Sequence, residues 1–142
     1  MKKFLSIVLV LVLVLLMPGC DSYDYLTEIE EYSSMTVDGT TSIEVRYTYV
    51  AEEKTFYEFV IEDKAIIDEI MAEIFKIELK DYPDARIDFY HRTITVNQGD
   101  KSYSINLSFA TSTEEHGKRY LYKSQGISEI IEKYIEDNLI EY

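Results

Sequence analysis

Cysteine, tryptophan, glycine and proline are scarce in this chain of 142 residues, which contains one Cys, no Trp, five Gly and two Pro. A single Cys cannot form a disulfide within the chain, so the fold has to rely on an apolar core. So few glycines exclude a glycine-rich phosphate-binding loop. The absence of Trp weakens a function that depends on stacking against sugar rings.

Basic residues are also few, because 14 Lys and Arg stand against 27 Asp and Glu, a formal net charge of −13 at pH 7. Such a surface repels nucleic acid, anionic lipid and anionic wall polymers. The charge suits a basic protein partner or a divalent cation. It also keeps a tethered domain soluble in anionic surroundings.

The one long apolar run lies at the N-terminus. Lys2 and Lys3 precede an apolar stretch, 4–17, that only Ser6 interrupts, and Pro18-Gly19-Cys20 follows. A permanent membrane span needs about 20 apolar residues, whereas this stretch would extend only about 21 Å as a helix. The layout is typical of a secretory signal peptide, which is removed after export.

Cys20, directly after the apolar run, makes this segment resemble the signal peptide of a bacterial lipoprotein, which ends in a lipobox. Gly19 fits the small residue that precedes the lipobox cysteine, while Met17 and Pro18 depart from the commonest pattern. The resemblance covers residues 1–20. It implies that the Cys20 sulfur receives diacylglycerol and that Cys20 becomes the new N-terminus. The alternative is an ordinary secretory signal with an incidental cysteine.

The lipoprotein resemblance also implies a location. Removal of residues 1–19, which hold two lysines and no acidic residue, would leave 123 residues with a formal charge of −15. Two acyl chains, palmitate among them, hold a protein stably at a membrane, where one chain binds only marginally. We therefore expect an extracytoplasmic protein that Cys20 anchors to the outer face of the cytoplasmic membrane.

The remaining sequence predicts one α+β domain over 43–142, after the lipidated Cys and a polar spacer over 20–42. Alternating apolar residues predict strands, and apolar residues three and four positions apart predict helices. The strands are predicted over 43–50, 55–61, 86–96, 101–110 and 119–123, and the helices over 63–77 and 127–139. The order β-β-α-β-β-β-α predicts two layers, a mostly antiparallel five-stranded sheet with both helices on one face.

Several local features accompany this prediction. Asp63 is expected to cap the first helix, and residues 97–100, with Gly99, to form a hairpin turn. A bulge near His91-Arg92 would reconcile the two halves of the third strand. Residues 111–118 are predicted to be a polar loop, and the strand 119–123 is expected at a sheet edge. Phe56 and Val60 suggest that the second strand is covered on both sides.

No catalytic, metal-binding or cofactor-binding set can be assembled from the sequence. Nucleophilic catalysis needs a nucleophile, a base and an orienting group, yet His91 and His116 accompany no nucleophile-elbow pattern. The acidic loops lack the ligand spacing of zinc sites and EF-hands; they comprise Glu114-Glu115-His116 and the group Asp81, Asp84 and Asp88. We expect no enzyme, no metal site and no cofactor, with weak calcium binding left open.

The chain holds 13 tyrosines, a residue type that protein interfaces favour. The predicted binding face combines an edge strand with the open sheet surface, and consists of Tyr90, Tyr120, Tyr122, Ser104 and Asn106. An edge strand can also pair with an incoming peptide.

Three functions remain open at this point. The first is a non-catalytic, membrane-tethered binding or accessory domain with a protein partner in the envelope, and the small size and missing catalytic set favour it. The second is an immunity or inhibitor lipoprotein that neutralises a basic toxin or hydrolase through charge complementarity. The third is a small wall-active hydrolase. In general organisation only, the mature domain resembles small lipoproteins of Gram-positive bacteria.

Overall fold

Two antiparallel sheets and two α-helices form the structure, a computed structural model that describes residues 25–50, 54–81, 91–107, 111–115, 118–122 and 125–139. The predicted α+β class is confirmed. In chain order, after a 3-10 turn at Leu26–Glu28, the elements are β1 (Ser42–Val50), β2 (Lys54–Ile61), α1 (Lys64–Ile74), β3 (Lys80–Asp81), β4 (Arg92–Gln98), β5 (Lys101–Asn106), β6 (Thr111–Glu115), β7 (Lys118–Tyr122) and α2 (Gln125–Asn138).

The strands divide between a four-stranded sheet, β2-β1-β4-β5, and a three-stranded sheet, β3-β7-β6, so the prediction of one five-stranded sheet is wrong. Residues 111–115, predicted as loop, form β6 and pair with β7. Their sequence, TSTEE, has no apolar alternation to signal a strand, and it is the pairing with β7 that satisfies their backbone groups. Because β7 also pairs with β3, strand 119–123 is not at an edge.

One face of the four-stranded sheet contributes its side chains to the hydrophobic core. Its fully or nearly fully buried side chains alternate along the strands and are Ile43, Val45, Tyr47, Ile61, Ile94, Val96, Tyr103, Ile105 and Leu107. The intervening positions carry exposed polar side chains such as Glu44, Arg46, Ser104 and Asn106. This confirms the predicted inward and outward sets of strand 101–110 as far as Leu107, and residues 108–110 lie outside the described part.

Both helices lie in the same core as this face of the sheet. The buried helix residues are Ile67, Ile70, Met71 and Ile74 from α1, and Ile127, Ile131 and Ile135 from α2. Tyr134 of α2 stacks on Phe59 of β2 with ring centroids 5.2 Å apart. The two-layer arrangement leaves the opposite face of the sheet without a described element over it.

Two predicted local features are confirmed. The Asp63 carboxylate accepts hydrogen bonds from the backbone N–H groups of Ala65 and Ile66 at 2.8 and 3.4 Å, so it caps α1. Gly99 has a φ of 57° in the β4–β5 turn, a conformation that favours glycine.

The described residues contain no bulge at His91-Arg92, where one was predicted. The register between β1 and β4 runs without interruption from Ser42 to Tyr47 of β1. The backbone N–H of Thr48 then donates to the His91 carbonyl at 2.7 Å, as the same register requires. The upstream half of the predicted strand, 86–90, lies outside the described residues.

Residues 25–42 belong to the folded domain, so the predicted polar spacer over 20–42 is wrong for this part. Four side chains at intervals of three are buried in the common core: Leu26, Ile29, Tyr32 and Met35. The Leu26 N–H donates to the Ile77 carbonyl at 2.9 Å, and the Tyr32 hydroxyl donates to the Ser104 carbonyl at 3.0 Å. The abundance of Ser, Thr and acidic residues masks this apolar repeat in the sequence.

Two buried tyrosine hydroxyls hold the layers together. The Tyr47 hydroxyl donates to the Glu132 carboxylate of α2 at 2.7 Å, while Tyr32 bonds to β5. Burial raises the pKa of Tyr32 to about 12, and the negative charge of Glu31 adds to this rise. Burial also raises the pKa of Tyr47, helped by its hydrogen bond to Glu132.

These raised pKa values predict that the domain loses stability in alkali. In the unfolded chain both tyrosines ionise near their ordinary pKa of about 10, while the folded domain keeps them protonated. The stabilisation is therefore complete below about pH 10 and is lost as the pH rises towards about 12. The urea midpoint, followed by circular dichroism, is expected to fall over this interval. The fall should be smaller in the Tyr32→Phe/Tyr47→Phe variant than in Tyr25→Phe, which removes an exposed hydroxyl. An equal fall of the urea midpoint in both variants would show that Tyr32 and Tyr47 do not cause the loss of stability.

Candidate functional site

The uncovered face of the four-stranded sheet carries exposed polar side chains from its strands, and we call it the open face. All four strands contribute side chains to it, because residues opposite each other across the sheet point to the same side. Arg46 of β1 lies opposite Glu58 of β2 on one side and opposite Thr93 of β4 on the other. Thr93 in turn lies opposite Asn106 of β5. The sheet therefore brings together side chains that lie up to 60 positions apart in the sequence.

A depression of about 440 Å³ lies on the open face. Its lining residues come from all four strands and the residue before β4: Glu44, Arg46, Phe56, Glu58, His91, Thr93, Thr95 and Ser104. The lining combines charges of both signs, hydroxyl groups, one imidazole and one aromatic ring. It therefore offers both polar and apolar contacts to a ligand.

The charged side chains of the depression are partly paired. Arg46 Nε lies 2.9 Å from Glu58 Oε1 across β1 and β2, with both side chains largely exposed. An exposed ion pair of this kind contributes only about 0–1 kcal/mol to stability. Glu44 Oε1 accepts a hydrogen bond from Asn97 Nδ2 at 3.0 Å. Because these partners are weakly held, they are available to rearrange around a bound ligand.

His91 shares the depression with Glu58 and Ser104, which are residue types found in hydrolytic sites. His91 is exposed. Within the described residues, no hydrogen bond joins its imidazole to a carboxylate or a hydroxyl group. A nucleophile and its base need that contact for catalysis. The depression as it stands offers binding groups, with no preformed nucleophile–base pair among the residues described.

Two of the five predicted binding residues have described side chains, and both lie on the open face. Ser104 lines the depression, and Asn106 projects from the same side of β5. Tyr120 and Tyr122 belong to β7, in the middle of the smaller sheet, and Tyr90 lies outside the described residues. The expectation that Tyr120 and Tyr122 lie on an edge strand is therefore wrong, and their place beside the open face stays a prediction.

The sequence prediction placed Arg46 on the open face of the sheet. It missed three other lining residues, Phe56, Glu58 and His91. Phe56 and Val60 were expected to be covered, yet they are 52% and 51% exposed. A signal was present in the hairpin formed by β1 and β2, because its register sets Arg46 opposite Glu58. That register depends on how the chain connects β1 to β2, which the pattern of side chains alone does not specify.

Across the described residues, no cluster of three or more His, Cys, Asp or Glu is suited to hold a metal ion. The acidic loop side chains considered above lie outside the part whose side chains are described. No helix in the described ranges has the length and apolar character needed to cross a membrane. Comparisons with protein families, curated proteins and solved structures gave no match.

Proposed function

We propose that this chain is an extracytoplasmic, membrane-tethered lipoprotein whose domain binds a protein partner of the cell envelope without catalysing a reaction. The observation that carries the proposal is the open face with its depression, which no described element covers while two helices bury the opposite face. The signal segment, with Cys20 as the lipidated residue, supports the location.

The short distance between Cys20 and the core supports a position close to the membrane. Leu26 is fully buried, and it lies six positions after Cys20. An extended chain covers at most about 3.6 Å per residue, so this linker reaches about 20 Å. An anchor at Cys20 would hold the domain against the bilayer surface, where its partners are membrane proteins or proteins at the membrane.

The composition of the depression supports a protein as the ligand. Protein interfaces combine aromatic side chains and Arg with surrounding polar groups. Here Phe56 is half-exposed beside the Arg46–Glu58 pair, with hydroxyl groups from β4 and β5 around them. A partner side chain with both apolar and charged atoms would find complementary groups within one depression.

A second candidate is the neutralisation of a basic toxin or hydrolase. It is favoured by Glu44, whose carboxylate in the depression accepts from Asn97 and has no cationic partner among the described residues. The formal charge of −15 on the mature chain would speed the encounter with such a partner. Screening by salt weakens an attraction of this kind.

The test measures which envelope proteins remain bound to the full-length protein after extraction in mild detergent. The depression variant is Arg46→Ala/His91→Ala. The matched control, Lys133→Ala/Asn138→Ala, removes one positive and one neutral polar side chain from the exposed part of α2. We expect wild type and control to retain the same partner at high salt. The depression variant should bind that partner at least about tenfold more weakly, a loss of about 1.4 kcal/mol in binding free energy.

Each outcome separates the candidates. Equal retention by the depression variant would show that the open face is not the binding site. A partner that is lost when salt is raised, and is itself a basic toxin or hydrolase, would favour the second candidate. If the protein cleaved wall material and the single substitution His91→Ala abolished that cleavage, a catalytic function would replace the proposed binding function.

A further inference from the structure

The outer edge of β2 has backbone groups that no described strand uses. β2 is a terminal strand of the four-stranded sheet and pairs with β1 alone. Because Thr48 bonds to β4, the even-numbered residues of β1 face β4 and the odd-numbered ones face β2. The register pairs odd with odd residues across β1 and β2. The N–H and C=O groups that point to the outer edge therefore belong to Phe56, Glu58 and Val60.

Proline, bulges and short length, three of the devices that prevent strand pairing, are absent from this edge. β2 has eight residues without Pro, and all eight pair with β1 in one continuous register. Phe56 and Val60 are about half exposed on the open face, at 52% and 51%. The central charge, Glu58, is compensated by Arg46 of β1. A long, apolar, open edge of this kind is a template for another strand.

We propose that β2 pairs antiparallel with β2 of a second copy of this chain, joining two four-stranded sheets into one sheet of eight strands. This goes beyond the proposed function, since it needs no envelope partner. When the two-fold axis of this dimer passes between the two Glu58 residues, the side chains of each β2 complement those of the other. Phe56 then lies opposite Val60 of the second copy on the open face. Tyr57 lies opposite Phe59 of the second copy on the core side.

These cross-strand pairs join apolar side chains that a single copy leaves partly exposed. Aromatic residues opposite β-branched or aromatic residues are favourable cross-strand pairs. Tyr57 and Phe59 are only half-buried within one chain, so pairing would extend the apolar core across the new interface. A symmetric interface of this type is the commonest route to a dimer.

Glu58 would face Glu58 of the second copy, and like charges directly opposite are normally unfavourable. Each carboxylate already contacts Arg46 of its own chain at 2.9 Å. The centre of the interface would thus hold two Arg and two Glu, with no net charge. Because Phe56 and Glu58 also line the depression, the two depressions would lie side by side across the axis.

Disulfide crosslinking in membranes tests the register directly. In Glu58→Cys, the two new cysteines lie opposite each other at a Cα separation of about 5.5 Å, within the range that a disulfide spans. In the control Phe56→Cys, the two cysteines lie four positions out of register, about 13 Å apart. We expect mild oxidation to convert Glu58→Cys into a disulfide dimer and to leave Phe56→Cys and the wild type monomeric.

The mass of the purified full-length protein provides a second measurement, by sedimentation with correction for detergent. We expect Phe56→Lys/Val60→Lys to shift the protein from dimer to monomer. The control Phe75→Lys/Leu139→Lys changes two apolar residues that are 37% and 38% exposed on the helical layer, and it should stay dimeric.

Three results would overturn the proposal: a monomeric wild type, crosslinking in Phe56→Cys and not in Glu58→Cys, or crosslinking of Glu58→Cys to a different protein. The last would assign the edge to a heterologous strand. A captured envelope partner together with a monomeric protein would leave the proposed function standing and exclude the dimer.

Discussion

The Cys20→Ala protein is expected to leave the membrane fraction, or to accumulate as an uncleaved precursor. Only the cysteine sulfur can accept the diacylglycerol that a lipoprotein signal directs, so alanine removes the attachment point. The described residues contain no helix that could hold the protein in a bilayer by other means. In a lipoprotein of this kind, two acyl chains would supply essentially all of the stable anchoring, since a single myristoyl chain binds with only about 10⁴ M⁻¹.

Cell fractionation with an immunoblot measures this effect, and incorporation of labelled palmitate gives an independent readout. Ser22→Ala is the matched control, because it changes a small polar residue two positions away without removing the sulfur. Wild type and control should carry label and sediment with membranes. Mature-sized Cys20→Ala protein that stayed with the membranes would refute anchoring through a lipid on Cys20.

Replacing Ile105 with Asp is expected to abolish folding. Ile105 is fully buried in β5 and pairs with Ile94 across the sheet. Removal of a large core side chain costs about 2–5 kcal/mol, and an unpaired buried carboxylate adds several kcal/mol more. A domain of this size has about 5–15 kcal/mol of stability in total. The combined loss is comparable with that total.

Ser104→Asp is the control for this substitution, because it places the same carboxylate one residue away on the exposed side of the same strand. Circular dichroism and thermal unfolding should show a cooperative transition for wild type and control, and none for Ile105→Asp. Ile70→Asp tests the same core from α1, where Ile70 is also fully buried. If Ile105→Asp unfolded cooperatively near the wild-type temperature, the core placement of β5 would be wrong.

The elements that could be predicted from sequence are those whose signal is local. Strand 101–110 alternates at every position, so its buried and exposed sides were assigned correctly wherever the structure describes them. Asp63 caps α1 and Gly99 adopts a positive φ for reasons contained within a few neighbouring residues.

The elements that escaped prediction lack such a signal. β6 consists of polar residues throughout and forms because β7 follows it closely and supplies a partner. The segment 25–42 reads as a polar spacer, yet its apolar residues at intervals of three fill the core beside Ile77 and Tyr103. Both errors arise because pairing and burial depend on distant residues, which a window of local sequence does not contain.

The residues of the candidate site also divide into those that local sequence placed correctly and those that depend on the order of the strands. Ser104 and Asn106 were assigned to the polar side of their strand, and they lie on the open face. Their neighbours Arg46, Glu58 and His91 reach the same surface only through the order β2-β1-β4-β5. Side-chain alternation tells which face a residue occupies but not which strands share that face.

The sequence by itself determined the acidic charge, the α+β class and the apolar side of each clearly alternating strand, and it predicts an export signal that ends at Cys20. The reason is that these properties depend on composition and on periods of two or about 3.6 residues. Only the tertiary structure decided that the strands form two sheets, that the open face contains a depression, and that no described strand pairs with the outer edge of β2. Those features depend on strand order and register, which are set by contacts between residues far apart in the chain.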